Sequence, residues 1–143
     1  MTKRKILIVD DEPALTQLVK LNLEATGTFE VSEVNDPATA VSAAKEFKPD
    51  LIILDVMMPG MDGGDLSSRM VANPVLKNIP MVFLTAAVRR EEIAAHGGMI
   101  GGFPYLAKPV NLKDLLDCIE NNLGAKSKAP ITAPAGKPAR KAV

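Results

Sequence analysis

Five residues of this chain have the types and settings that phosphoryl chemistry requires. Asp10 and Asp11 follow Ile6-Leu7-Ile8-Val9, and Asp55 follows Leu51-Ile52-Ile53-Leu54. Thr85 follows Met81-Val82-Phe83-Leu84, and Lys108 follows Phe103-Pro104-Tyr105-Leu106-Ala107. Mg2+ takes six oxygen ligands at about 2.0–2.1 Å and keeps several waters, so carboxylates plus a phosphoryl oxygen suit it. Asp10, Asp11 and Asp55 supply that charge. A carboxylate that attacks phosphorus forms an aspartyl phosphate, which makes Asp55 the candidate nucleophile. Such a transfer depends more on charge neutralisation than on covalent help. Lys108 offers one counter-charge, the metal the rest, and Thr85, beside the small Ala86, a hydroxyl donor.

Each of these residues alone has an ordinary explanation. Asp10 and Asp11 could cap a helix opening at Pro13 and favour its dipole. Asp55 could be a turn residue, Thr85 a β-branched strand end, and Lys108 a solvated lysine. Jointly they are harder to dismiss, because each stands at or just beyond the carboxyl end of an expected strand. That rim is where open α/β sheets bind their ligands.

The elements that must position them are readable from hydrophobic pattern. Short apolar runs alternate with amphipathic stretches from residue 5 to residue 123. Pro13 to Thr26 carries Leu15, Leu18, Val19, Leu21 and Leu23 at near-helical spacing. Phe29 to Val34 alternates partly and reads as an edge strand. Asp36-Pro37 is a helix start, with Ala40, Val41, Ala44 and Phe47 inward and Pro49 as the stop. A turn over Met58-Pro59-Gly60 and Asp62-Gly63-Gly64 leads to a helix through Leu66, Met70 and Val71. Asn111 opens a last helix with Asp114 three residues on, an approximate capping box. Leu112, Leu115, Leu116, Ile119 and Leu123 share one face of it, and Gly124 is placed to end it. Five β–α alternations imply an α/β fold: parallel strands, right-handed crossovers and helices on both faces of one doubly wound sheet.

Bulk properties narrow the function. The chain has 143 residues and a formal net charge of zero, which suits one domain. The charge is unevenly spread: residues 1–124 hold all 17 acids and 12 bases, whereas 125–143 hold five bases and no acid. The expected division is a domain over 1–124 and a disordered basic Ala/Pro/Lys tail over 125–143. Nothing in the mildly acidic body invites nucleic acid. A single cysteine, Cys118, allows no intrachain disulfide and fits a reducing compartment. The apolar run after the basic N-terminus is too short for a signal peptide, and no stretch approaches a membrane span, so the cytoplasm is expected. A nucleotide-binding loop is excluded, because Asp10-Asp11-Glu12 replaces a glycine-rich turn after the first strand and would repel phosphate without a metal.

Taken as an ordered set, Ile6 to Glu12, Pro49 to Gly63, Leu84-Thr85-Ala86 and Tyr105 to Pro109 resemble the receiver domain of bacterial two-component response regulators. The resemblance covers about residues 4–123. It implies a five-stranded flavodoxin-like sheet in 2-1-3-4-5 order, with Asp55 phosphorylated by a histidine kinase or phosphotransfer protein. It further implies that Asp10 and Asp11 help hold Mg2+ with Asp55 and the Met57 backbone carbonyl. Thr85 and Lys108 would bind the phosphoryl group, and the Lys108–Pro109 bond would be cis, a state proline makes accessible. Thr85 and Tyr105 would form the switch, reshaping the face made by the fourth helix, the fifth strand and the fifth helix.

With only 19 residues after Gly124, a stand-alone phosphoacceptor module is expected. Its output would pass through a downstream protein partner or through self-association. The expected state is a monomer or a weak phosphorylation-dependent homodimer, with no direct nucleic-acid or membrane contact. The family implies a regulator rather than an enzyme, restricted to Mg2+-dependent self-phosphorylation and slow self-dephosphorylation. Met57 and Ala87 stand at positions that tune hydrolysis in the family, and neither can act as a base.

A phosphohydrolase of the haloacid dehalogenase type is the competing enzyme class. It would need an aspartate two residues after the nucleophile, where Met57 stands. A receiver acting only as a scaffold is a third class, against which the full set of chemical residues argues. His96 reads as an exposed helix-end histidine, and Cys118 as a core or boundary side chain. The main departure from the family is Gly97-Gly98-Met99-Ile100-Gly101-Gly102. Four glycines in six residues each cost roughly 1 kcal/mol of helix stability relative to alanine. A shortened fourth helix, a loose link and partly exposed Met99 and Ile100 are expected.

Overall fold

The computed structural model describes residues 3–57, 63–86, 89–95, 99–100 and 103–127. Along the chain come β1 (Arg4–Val9), α1 (Pro13–Ala25), β2 (Phe29–Val34), α2 (Ala40–Phe47), β3 (Leu51–Asp55) and α3 (Gly63–Ala72). They are followed by β4 (Met81–Thr85), α4 (Arg90–Ala95), β5 (Met99–Ile100), β6 (Phe103–Ala107) and α5 (Leu112–Ser127). Five parallel strands lie in the order β2-β1-β3-β4-β6, the 2-1-3-4-5 arrangement the sequence implied.

Alternation along each strand divides the core in two. Ile6, Ile8, Leu51, Ile53, Val82 and Leu84 point to one face and are covered by Val19 and Leu23 of α1 and by Leu115, Ile119 and Leu123 of α5. Leu7, Val9, Ile52, Leu54, Met81 and Phe83 point to the other, under Ala40 and Ala44 of α2 and Leu66 and Met70 of α3. β1, β3 and β4 lie inside the sheet, which is why their runs are apolar without interruption. Cys118 is half-buried against the first cluster, as a boundary residue.

Local signals match the observed ends. Asp36 accepts a hydrogen bond from the Ala38 amide at 3.0 Å and opens a single 3-10 turn, Pro37–Thr39, ahead of α2. Lys48 closes α2 in the left-handed region (φ 55°) just before Pro49. Asn111 Oδ1 accepts from the Asp114 amide at 2.8 Å, while Asp114 Oδ2 takes the Asn111 side-chain amide at 3.1 Å, so the box at α5 closes through side chains.

The near-helical spacing over Pro13 to Thr26 does form α1, with Val19 and Leu23 buried and Leu18 and Leu21 54% and 62% exposed, because helical spacing fixes relative direction and leaves open how wide the covered stripe is. Two expectations are corrected. α5 runs through Gly124 to Ser127, since a glycine permits a left-handed stop without imposing one. The glycine-rich link contains a strand: β5 pairs antiparallel with β6, Met99 with Pro104 and Ile100 with Phe103. Two residues separate the paired positions, and their sequence, Gly101-Gly102, is one that two-residue hairpins favour. α4 is six residues long, short as expected.

The far edge of the sheet, β2, is tied to α1 by the Glu24 carboxylate, which accepts from the Val31 amide at 3.0 Å. No helix among the described residues is long and apolar enough to cross a membrane. The expectations for Ala87, His96, the exposure of Met99 and Ile100, and the tail beyond Ser127 lie outside the described residues.

Candidate functional site

Strand register assembles the site. β1 and β3 pair Val9 with Leu54, so the next residues, Asp10 and Asp55, arrive side by side at the carboxyl edge. β3 and β4 pair Asp55 with Leu84, which brings Thr85 one step beyond. β4 and β6 pair Thr85 with Ala107, and the Lys108 amide then donates to the Thr85 carbonyl at 2.8 Å. The peptide bond between Lys108 and Pro109 is cis. Asp10, Asp55 and Thr85 are all buried, whereas Met57 is exposed.

One oxygen from each of Asp10, Asp11 and Asp55 lies within 4.8 Å of the others. Lys108 enters this group: its Nζ is 2.9 Å from Asp10 Oδ2, 3.3 Å from Asp55 Oδ1 and 3.3 Å from Glu12 Oε1. Asp10 Oδ1 accepts the Glu12 amide at 2.9 Å, and Asp55 Oδ1 accepts the Met57 amide at 3.4 Å. Asp10 therefore serves the start of α1 as well, while Glu12 at the cap position makes no side-chain capping bond.

Burial, and then the charge of Asp10, hold the Asp55 carboxyl above its ordinary value of 3.8; Lys108 and the Met57 amide pull the other way. For Lys108 burial opposes the charged form, but Asp10, Asp55 and Glu12 outweigh it and raise the ammonium above its ordinary 10.5. Asp10, Asp11 and Asp55, with Glu12 beside them, outnumber the single Lys108 ammonium and leave the pocket with an excess of negative charge. A hard divalent cation answers that charge, and an all-oxygen donor set suits magnesium. Asp10 Oδ2 also fits such an ion: it is buried and, despite the nearby ammonium, has no well-directed hydrogen bond among the described residues.

Tyr105 lies half-buried on β6 with its ring 5.2 Å from that of Phe83, tilted by 37°. Phe83 meets Phe103 edge-on at the same separation, so Phe83 stands between the two aromatic rings of β6. The residues read from sequence thus converge at the rim, with Tyr105 a few residues behind.

Sequence reading passed over three contributors. Glu12 entered only as part of the acidic run after the first strand, yet it faces Lys108. Asn35 donates from Nδ2 to the Asp10 carbonyl at 2.8 Å and to Thr16 Oγ1 at 3.0 Å. Thr16 is fully buried and donates to Glu33 Oε1 at 2.8 Å. Sheet order held the missing signal: with β2 beside β1, the residue after Val34 must come level with the residue after Val9.

This fold and this rim of acids, threonine and lysine define a phosphoacceptor domain of the two-component type. The response regulator receiver domain family matches residues 6–120, and the chain belongs to it. It is 38% identical over 124 residues to chemotaxis protein CheY-3 of Vibrio cholerae, an alignment covering 83% of this chain and 93% of that protein. It is 31% identical over 128 residues to DNA-binding response regulator MtrA of Mycolicibacterium smegmatis, covering 90% of this chain but 54% of MtrA. The chain thus spans about half the length of that relative. Among solved structures, chemotaxis response regulator CheY4 of V. cholerae superposes with a TM-score of 0.71 at 30% identity, over 84% of this chain and 98% of that one. A CheY-like receiver domain from Methanospirillum hungatei superposes with a TM-score of 0.74 at 26% identity, over 90% of this chain and all of that one. Membership supports a phosphoacceptor signalling role, that of a regulator rather than of a metabolic enzyme.

Proposed function

We propose that this protein is a phosphorelay switch whose phosphoacceptor is Asp55. The observation that carries the reading is the placement of this one buried carboxylate, 3.3 Å from Lys108 Nζ and grouped with Asp10 and Asp11 within 4.8 Å. Asp55 Oδ attacks the phosphorus of a phosphohistidine on a histidine kinase or phosphotransfer partner. The O–P bond forms as the P–N bond breaks, and the imidazole leaves with the electron pair and is then protonated. Asp10, Asp11, Asp55 and the Met57 carbonyl would hold Mg2+, which supplies charge neutralisation at the phosphoryl oxygens. Lys108, already protonated and anchored by Asp10, supplies the remaining counter-charge. Thr85 binds a phosphoryl oxygen through its hydroxyl.

The switch couples Thr85 to Tyr105. As Thr85 is drawn toward the phosphoryl group, Tyr105 turns into the space behind it and the surface of α4, β6 and α5 changes. That surface is the output face for a downstream protein partner in the cytoplasm. The signalling unit is residues 1–124, with α5 continuing three residues further.

Intact mass after incubation with acetyl phosphate and Mg2+ tests the assignment. The wild type should gain one phosphoryl group, and the gain should vanish with EDTA and in Asp55→Asn. Absence of the gain in folded wild-type protein, repeated with a phosphorylated histidine donor, would leave only a binding scaffold.

A further inference from the structure

We infer that Asn35, backed by Thr16 and Glu33, is a positioning residue that orients the Asp10–Asp11 peptide for the divalent cation. The inference rests on the acidic pocket being the metal site proposed above. Both backbone groups of Asp10 are pinned by the end of β2: its amide donates to the Val34 carbonyl at 3.0 Å, and its carbonyl accepts Asn35 Nδ2 at 2.8 Å. The direction of the relay is fixed by chemistry. A peptide carbonyl only accepts, so the amide nitrogen of Asn35 must face Asp10. The same nitrogen donates to Thr16 Oγ1 at 3.0 Å, and the hydroxyl in turn has two acceptors in reach, Glu33 Oε1 at 2.8 Å and the Pro13 carbonyl at 3.2 Å, of which the carboxylate is the nearer and the charged one. The relay therefore runs from Asn35 through a hydroxyl with no solvent exposure to a carboxylate acceptor.

Asp11 is the residue that depends on it. Asp10 is held by Glu12 and Lys108 through its own side chain. Among the described residues no such partner holds the Asp11 carboxylate, although it completes the group of three oxygens. Its place is set by the peptide plane that precedes it, and the Asp10 carbonyl of that plane is what Asn35 grips. Outer partners of this kind set how well ligands are preorganised, and their loss weakens metal binding by roughly 10–100-fold. Mg2+ tolerates misplacement poorly, whereas Ca2+ accepts irregular and larger oxygen shells. Loosening Asp11 should therefore cost Mg2+ more than Ca2+.

The test is calorimetric titration of the metal-free full chain with Mg2+ and with Ca2+, for wild type, Asn35→Ala, Thr16→Val and Thr16→Ser. Circular dichroism and a urea midpoint for each establish that it is folded. Asn35→Ala should weaken Mg2+ by roughly tenfold and Ca2+ by less. Thr16→Val, which keeps shape and loses the hydroxyl with its bonds to Asn35, Glu33 and the Pro13 carbonyl, should shift the same way, and Thr16→Ser should restore wild-type binding. Folded variants that bind Mg2+ within a factor of two of wild type, or that lose both ions equally, overturn the inference while leaving phosphorylation of Asp55 intact. A wild type that binds no Mg2+ removes the metal-site reading and this inference with it.

Discussion

Lys108 Nζ stands closer to Asp10 than to Asp55, 2.9 Å against 3.3 Å, so one ammonium bridges the two buried carboxylates with the shorter contact to Asp10. In the proposed reaction Asp10 would keep the lysine in place as Asp55 takes up the phosphoryl group. The arrangement is costly at rest, because buried carboxylates repel one another and only one ammonium offsets them.

That cost gives Asp55 a legible stability signature. Its carboxyl is held above 3.8 by burial and by Asp10. Below 3.8 it is protonated in folded and unfolded chain alike and carries no penalty. As pH rises through 3.8 and then through the higher folded value, the unfolded chain gives up its proton more readily, and the folded state loses stability. Asp55→Asn should therefore stabilise the EDTA-treated protein at pH 7 by about 1 kcal/mol, and the gain should fade below pH 3.8. Urea unfolding at the two pH values measures it; an unchanged midpoint at pH 7 would mean that Lys108 compensates the charge completely.

Lys108 behaves in the opposite sense. Burial opposes its charge, yet its three carboxylate partners raise its proton affinity, so its contribution is fully present below 10.5. That contribution is lost as pH climbs through the higher folded value. Lys108→Met should lower metal-free stability at pH 7 by about 2 kcal/mol, less than for a fully buried pair because the lysine retains some contact with water. The gap between variant and wild type should narrow as pH passes above 10.5. Added Mg2+ should recover part of the loss, which denaturation curves with and without the ion would show.

Tyr105 is the sole tyrosine in a chain without tryptophan, so its emission reports one site. Phosphorylation with acetyl phosphate and Mg2+ should change that emission in the wild type. In Thr85→Ala the phosphoryl group should still be taken up by mass, with most of the optical change lost. An equal change in both proteins would separate Tyr105 from Thr85 and remove the switch assignment.

Much of the fold was legible because β1, β3 and β4 are buried on both faces, and such strands announce themselves as unbroken apolar runs. The acids, Thr85 and Lys108 were legible because strand ends in an α/β sheet converge on one rim. Thr16 was not, since a threonine one turn into a helix gives no hint of a carboxylate across on β2. The spacing of Leu18 and Leu21 announced a helix but not their exposure, because periodicity carries no information on what covers a helix. β5 escaped because two residues are too few to show a period, and the Gly-Gly pair was weighed only as a breaker of helices.

Among the described residues, each lateral edge of the sheet is partly occupied, by different means. On one side the Glu24 carboxylate takes the amide of Val31, and on the other the two-residue β5 pairs with β6. A long bare strand edge recruits neighbouring chains and seeds fibrils. Interrupting an edge in this way disfavours growth by strand addition and leaves helix surfaces as the better route to self-assembly.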